Sequence, residues 1–265
     1  MGGIIVTVRA AYTTQLQAGL GLVAETKALV GLWQQDISVA QLFDVALQSG
    51  QFPNVTARRL RNIVAECFAP RYLVDQGAPA RHLQLLLCVL PAAELVQFML
   101  LYTSRANPIL ADFIREVYWA RYASGYDQIT SEDAHGFVQR GIDDGRTIKR
   151  WSDSTIKRVS AYLTGCCADY GLLEQGRRSN RKIRSFRASQ AVIAYLAYDI
   201  HFSGAGDNAL LIHRDWALFG MSRDDVLDAL KQLSRRDFLM VQAAGDTVRI
   251  TWKYSTMEAL CNDLS

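Results

Sequence analysis

The N-terminal half of the chain is a succession of short amphipathic helical patterns separated by short loops. Ser38 and Thr56 are each followed by apolar residues spaced three and four apart, which is typical of a capped helix with one buried face. Pro91 and Pro108 stand where further helices would begin, because proline is tolerated in the first turn. Short connections make neighbouring helices antiparallel. Residues 1–125 are therefore predicted to form a helical bundle domain.

The most apolar stretch, His82–Tyr102, is long enough to cross a membrane only as one uninterrupted helix. Pro91 interrupts it, and Gln84, Glu94 and Gln97 place polar groups near its middle, where hydrocarbon disfavours them. We predict two consecutive buried helices and no membrane partner. The first residues also lack the pattern of a secretory signal, so we expect a cytoplasmic protein.

The helical pattern changes character after residue 125. Thr130 and Asp133 have the spacing of a capping box, in which each side chain accepts a backbone N–H at the helix start. Ser152 caps a longer helix, which ends at Gly171. One face of this second helix carries the apolar residues Ile156, Val159, Leu163, Cys166 and Tyr170.

A small hairpin is predicted after these two helices, from Leu172–Glu174 through a polar turn to Ile183–Phe186. Helix, helix and hairpin is the order of a winged helix-turn-helix. We therefore predict a basic winged-helix-like unit over residues 126–188.

The same order repeats more weakly over residues 189–265. Ser189 and Ser222 are predicted caps of two further helices, and Ser255 begins a last short one. The predicted hairpin strands are Phe238–Ala243 and Thr247–Trp252. This range is predicted to be a second winged-helix-like unit. The fold class is thus mainly α, with an N-terminal helical bundle followed by winged-helix-like units with short β-hairpins.

Charge placement carries the strongest functional signal. The segment from Arg177 to Arg187 holds six basic residues and no acid, namely Arg177, Arg178, Arg181, Lys182, Arg184 and Arg187. A second basic group surrounds the start of the Ser152 helix and consists of Arg146, Lys149, Arg150, Lys157 and Arg158. Long cations on a wing reach phosphates, and the dipole and free N–H groups of a helix start favour them too. We predict that these two groups bind nucleic acid.

The helix after Ser222 differs, because Asp224, Asp225 and Asp228 would repel phosphate. We expect the second winged-helix-like unit to be structural or to face another protein.

No pattern in the chain predicts catalysis. Gly19, Gly21 and Ala24 match the spacing of a dinucleotide-binding turn, but no strand directly precedes them and no βαβ unit follows. The five cysteines include no C-x-x-C pair and are predicted to be reduced and buried. We therefore expect no enzyme, no metal, no cofactor and no small-molecule substrate.

One segment resembles the BrxA family of bacteriophage-exclusion (BREX) defence systems. It runs from Arg150-Trp-Ser-Asp-Ser-Thr-Ile-Lys-Arg-Val to Leu163 and continues as Ala168-Asp169-Tyr170-Gly171-Leu172-Leu173. It is similar to that family's "W-S-x-x-T-x-x-K" helix, which ends in "D-x-G-L-L" before a basic hairpin. The resemblance implies a small non-enzymatic component of a multi-protein phage-resistance system, named for its similarity to NusB. It also implies nucleic-acid contact through Lys157, Arg158 and the hairpin Arg177–Arg187.

The leading hypothesis is a double-stranded DNA-binding accessory protein of BREX defence that acts with other BREX components. An RNA-binding, NusB-like role stays open, because nothing in the sequence reports on contact with a 2′-hydroxyl. A scaffold whose basic face docks an acidic protein is a third hypothesis.

Overall fold

The structure, a computed structural model, describes residues 11–176, 179–245 and 247–264. The first ten residues, and Arg177 and Arg178 of the basic segment, lie outside the described residues. After a 3₁₀ turn at Gln15–Ala18, the helices of the N-terminal part are α1 (Val23–Leu32), α2 (Val39–Gln48), α3 (Ala57–Asn62), α4 (Ala69–Tyr72), α5 (Ala78–Val89), α6 (Ala92–Ala106), α7 (Pro108–Phe113) and α8 (Trp119–Ala123). π-helical segments at Ile63–Phe68 and Ile114–Tyr118 join α3 to α4 and α7 to α8.

The predicted helix starts in this part are confirmed. The hydroxyls of Ser38 and Thr56 accept the backbone N–H groups of Gln41 and Arg59, which satisfies donors that a helix start leaves free. The apolar stretch is two helices, α5 and α6, with Pro91 as the N-cap of the second. Within the part of the chain that the structure describes, no helix is long and apolar enough to cross a membrane.

The middle of the chain contains β1 (Gln128–Ile129), α9 (Ser131–Asp143), α10 (Asp153–Asp169) and β2 (Arg181–Lys182). The Thr130–Asp133 capping box and the Ser152 cap are both present. All five residues of the predicted apolar stripe on α10 are buried. The left-handed Gly171, at φ +80°, follows the end of the helix.

The hairpin after α10 is shorter than the sequence predicts, and its second strand begins earlier. β2 pairs antiparallel with β1, and Ile183, the residue directly after β2, forms a bridge with Leu173. The predicted strand Ile183–Phe186 is wrong beyond this bridge. The participation of β1 was not predicted, since two residues are too few to show an alternating pattern.

The C-terminal part contains α11 (Gln190–Phe202), α12 (Asp207–Leu211), a 3₁₀ turn (Arg214–Phe219), α13 (Arg223–Arg235), β3 (Leu239–Ala244), β4 (Thr247–Trp252) and α14 (Met257–Asp263). The caps Ser189 and Ser222 and the antiparallel β3–β4 hairpin are as predicted. The last cap is Thr256 rather than Ser255, because the Thr256 hydroxyl accepts the backbone N–H of Ala259.

The buried side chains of all three parts form one contiguous cluster. The C-terminal helix α14 packs on α5, and Arg81 of α5 forms an ion pair with Glu258 of α14 at 3.0 Å. The division into 1–125, 126–188 and 189–265 stays a prediction. The fold class is mainly α, with short antiparallel strand pairs, as predicted.

A network of ion pairs also ties the parts together. Asp215 accepts hydrogen bonds from Arg105 at 2.8 Å and from Arg115 at 3.2 Å. Arg105 extends the network to Asp199 of α11 at 2.6 Å, and Arg115 extends it to Asp112 of α7 at 3.4 Å. The network therefore joins α6, α7 and α11 to the 3₁₀ turn before α13.

The cysteine prediction is only partly right. Cys88 is exposed near the end of α5, where its position falls off the buried face. The other four thiols are buried, namely Cys67, Cys166, Cys167 and Cys261.

Candidate nucleic-acid interface

The loop between α9 and α10 carries the first basic group and is held at both ends. At its start, the carbonyl of Arg146 accepts the backbone N–H of Tyr12 at 2.6 Å, and Thr147 forms a parallel bridge with Tyr12. At its end, the Trp151 side chain is buried. Ile148, Lys149 and Arg150 between these anchors are exposed.

Arg146 does not belong to the free basic surface that the sequence predicted. Its guanidinium forms an ion pair with Asp112, lies 3.9 Å from a carboxylate oxygen of Glu116 and sits 4.0 Å from the centroid of the Tyr12 ring. Burial and the negative charge of Asp112 raise the pKa of Tyr12, so this ring stays neutral beside the arginine. Arg146 thus stabilises the loop, and the nearby carboxylates compensate its positive charge.

A pocket of about 530 Å³, here called the α10-start pocket, opens beside this loop. Three cations line it, namely Lys149, Arg150 and Arg158. Its hydroxyl-bearing residues are Tyr12, Thr13, Thr14, Ser152 and Thr155. The pocket combines cations, hydroxyl donors and the positive end of a 17-residue helix, a combination suited to phosphate.

A second cavity of about 730 Å³, the α9–α10 groove, lies on the other side of α10. Lys157 contributes from α10 and Arg181 from β2, while Glu132 and His135 contribute from α9. Lys157 and Arg158 line different cavities because consecutive helical residues point about 100° apart. The exposed ridge of α10 therefore has a cation on each side.

Arg181 is held by the backbone of the hairpin. One guanidinium nitrogen donates to the carbonyl of Glu174 at 3.1 Å, and its Nε is buried without a hydrogen-bond partner among the described residues. Lys182 follows it on the same strand and points to the opposite face, as successive strand residues do. Lys182 is therefore not on the groove wall that Arg181 lines.

Arg184 and Arg187 lie beyond the strand and line neither cavity. The backbone of Arg184 donates to Leu172 at 2.9 Å and accepts from the Tyr118 hydroxyl at 3.0 Å. The carbonyl of Arg187 accepts from the side chain of Gln97 at 2.9 Å. Both side chains are exposed. The structure brings together the cations around α10, while these two form a separate extension toward α11.

The cations around α10 and on this extension are unpaired. Within residues 11–176, 179–245 and 247–264, no ion pair involves Lys149, Arg150, Lys157, Arg158, Lys182, Arg184 or Arg187. By contrast, two cations of α13 are paired locally, Arg223 with Asp224 at 3.4 Å and Lys231 with Asp228 at 3.0 Å, and three aspartates balance the three cations of the helix. The excess positive charge therefore belongs to the α9–α10 part and not to α13.

Several residues near these cavities carried no usable signal in the sequence. Thr13 and Thr14 precede α10 by more than 130 residues, and only the fold brings them to the α10-start pocket. Glu132 and His135 stood beside the capping box without a role, and both line the α9–α10 groove. Asp133 is the second member of the capping box and accepts the backbone N–H of Thr130. Burial raises the pKa of Asp133, but hydrogen bonds from the Thr130 backbone and from Arg121 lower it overall.

The glycine-containing segment Gly19–Gly21 and the residue His201 make contacts within the fold. The carbonyls of Gly19 and Leu20 each accept from the guanidinium of Arg71 at 3.1 Å, and the N–H of Gly21 donates to Asp169 at 2.9 Å. His201 stacks on Trp252 with ring centroids 4.2 Å apart. Among the described residues, no group of three or more potential metal ligands is close enough to hold an ion.

Comparison with known proteins identifies a family and a related fold. The family model described as BrxA matches residues 10–199. This range contains α1–α10, β1, β2 and the cations from Arg146 to Arg187, and it ends within α11. No curated protein matches the chain.

A solved structure from Magnetospirillum magneticum, described as an uncharacterized protein, resembles the chain with a TM-score of 0.58 and 13% identity. The match covers 72% of this chain and 95% of the other. At this identity the likeness shows the fold alone.

Proposed function

The chain belongs to the BrxA family, a family of BREX phage-defence components, and from this premise we propose that it binds double-stranded DNA. The observation that carries the proposal is the α10-start pocket, where Lys149, Arg150 and Arg158 converge without a carboxylate partner among the described residues. Unpaired cations at a helix start are suited to neutralising DNA phosphates, the interaction that supplies most non-specific affinity.

We propose that α9, α10 and the short strands act as a winged-helix-like unit with α10 as its recognition helix. Lys157 on one side of the α10 ridge and Arg158 on the other would contact phosphates on both sides of a DNA groove. Arg181 and Lys182 on β2 would extend the contact along the backbone, and we expect Arg177 and Arg178, which precede β2 in the sequence, to add to it. In this proposal the protein acts by binding and performs no catalysis itself.

The C-terminal part has a different proposed role. It lies mostly beyond the family match, and the exposed cations Arg223 and Lys231 of α13 are already paired with aspartates. We propose that this part contacts other BREX components and not DNA, because Asp224, Asp225 and Asp228 of α13 would repel phosphate.

Two paired variants test the DNA proposal. In the first, Arg150→Ala and Arg158→Ala remove two cations of the α10-start pocket. In the control, Arg223→Ala and Lys231→Ala remove two exposed cations of α13. A hydrogen bond to a charged group contributes about 1.5–3 kcal/mol, so the first variant should bind a labelled DNA duplex at least about tenfold more weakly. The control should bind as the wild type does.

Fluorescence anisotropy with duplex DNA, duplex RNA and single strands gives the affinities. Equal loss in both variants, or no binding of any duplex at about 50 mM salt, would contradict the proposal. Tighter binding of duplex RNA than of duplex DNA would favour the RNA-binding alternative instead.

A further inference from the structure

Ile148 is an exposed apolar residue that neither packs in the core nor can bind phosphate. Its side chain is 89% exposed, the highest value for a large apolar residue in the described part of the chain. It precedes Lys149 and Arg150 directly and lines the α10-start pocket with them. An isolated exposed apolar residue is common on protein surfaces, so its position among free cations is what needs an explanation.

The loop that carries Ile148 is anchored at both ends. Arg146 and Thr147 are fixed to Tyr12 by a 2.6 Å backbone hydrogen bond and a bridge, and Arg146 is fixed to Asp112 by an ion pair. Trp151 is buried only three residues beyond Ile148. The side chain therefore projects from a short loop with both ends anchored, which lowers the entropy lost when it binds.

The surrounding charges favour one kind of partner. Lys149, Arg150 and Arg158 have no ion-pair partner among the described residues, so the rim around the apolar tip is positive. An apolar tip between cations matches DNA, in which stacked bases lie between two rows of phosphates. Proteins that kink DNA insert Ile, Leu, Phe, Met or Pro between base steps in this way.

We infer that Ile148 inserts between adjacent base pairs of bound duplex DNA and kinks it, an inference that rests on the proposed DNA binding. Lys149, Arg150 and Arg158 hold the phosphates that flank the opened step. The preferred sites would be those with easily unstacked pyrimidine–purine steps such as TA and CA/TG. Site preference then arises from DNA deformability without hydrogen bonds to base edges.

Three variants test the wedge. Ile148→Ala removes it, Ile148→Met preserves an apolar wedge, and Ile212→Ala is the matched control, since Ile212 is 68% exposed and lies directly after α12. The probe is a duplex of about 18 base pairs with a fluorophore at each end, roughly 60 Å apart at 3.4 Å per base pair. A central kink of about 60° would bring the ends to about 52 Å and raise energy transfer.

The wild type, Ile148→Met and Ile212→Ala should all raise energy transfer on binding, and Ile148→Ala should bind with little or no rise. A second duplex with two unpaired adenines at its centre is already kinked. The wild type should bind it about tenfold more tightly than the intact duplex, and Ile148→Ala should lose this preference.

Binding without a change in energy transfer in the wild type would overturn the wedge and leave the proposed DNA binding intact. The same rise in Ile148→Ala as in the wild type would also overturn it. Absence of any duplex binding by the wild type would instead remove the proposed function on which the wedge rests.

Discussion

Asp215 is the residue whose loss should most weaken the connection between the bundle and the C-terminal part. Its side chain is 5% exposed and accepts from Arg105 at 2.8 Å and from Arg115 at 3.2 Å. In Asp215→Ala, Arg105 keeps only Asp199 and Arg115 keeps only Asp112 as ion-pair partners. Breaking a buried ion pair by removing one partner costs about 3–5 kcal/mol, because the remaining charge stays buried and poorly compensated.

For a chain of this length, each kcal/mol lowers Tm by about 2–4 °C, so Asp215→Ala should melt roughly 6–20 °C below the wild type. Asp228→Ala is the control, because Asp228 is 70% exposed and pairs with Lys231 on the surface of α13. An exposed pair contributes about 0–1 kcal/mol, so its loss should barely move Tm. Thermal unfolding followed by circular dichroism measures both. A Tm for Asp215→Ala within about 2 °C of the control would show that the Asp215 ion pairs do not stabilise the fold.

Three further predictions concern stability and thiol chemistry. Burial lowers the pKa of His82 below its ordinary value, so the free energy of unfolding should fall as the pH drops below about 6.5. Urea unfolding at pH 7.5 and 5.5 measures this fall, which should be smaller in His82→Gln than in the wild type. Gly220→Ala should cost about 2–5 kcal/mol, because φ is +67° and a Cβ would lie 2.7 Å from the Trp119 ring; Gly50→Ala, at φ +70° in open space, should cost only about 1–2 kcal/mol by the same urea assay. Cys88 should react with a thiol reagent in the native state, and a second fast-reacting thiol would contradict the structure. The protected thiols are Cys67, Cys166, Cys167 and Cys261.

Local signals in the sequence located most of the helices. Caps such as Ser38, Thr130 and Ser222 act within three residues of themselves, so their effect is readable from a short window. The apolar stripe of α10 was readable for the same reason, because helical spacing alone decides which residues share a face. The two-residue strand β1 was not predicted, since its pairing depends on a partner more than 50 residues away.

In the candidate site, too, local features could be predicted from the sequence and features that depend on distant residues could not. The basic residues of the α9–α10 loop and of the hairpin were apparent from their density in the chain. Their pairing was not, because Arg146 is neutralised by Asp112, 34 residues earlier, while Arg150 and Arg158 find no carboxylate among the described residues. The exposed position of Ile148 was also invisible in the sequence, where an isoleucine is usually expected in the core.

The proposed binding of DNA phosphates by the cations around α10 should make the affinity for duplex DNA depend steeply on salt. The cations that line the α10-start pocket and the α9–α10 groove are Lys149, Arg150, Lys157, Arg158 and Arg181. At about −0.9 per neutralised phosphate, five such contacts predict a log–log slope of about −4.5, or roughly a 500-fold loss of affinity between 50 and 200 mM salt. Arg150→Ala with Arg158→Ala should make the slope shallower by about 2. A slope near zero, or one that the two substitutions leave unchanged, would contradict the account.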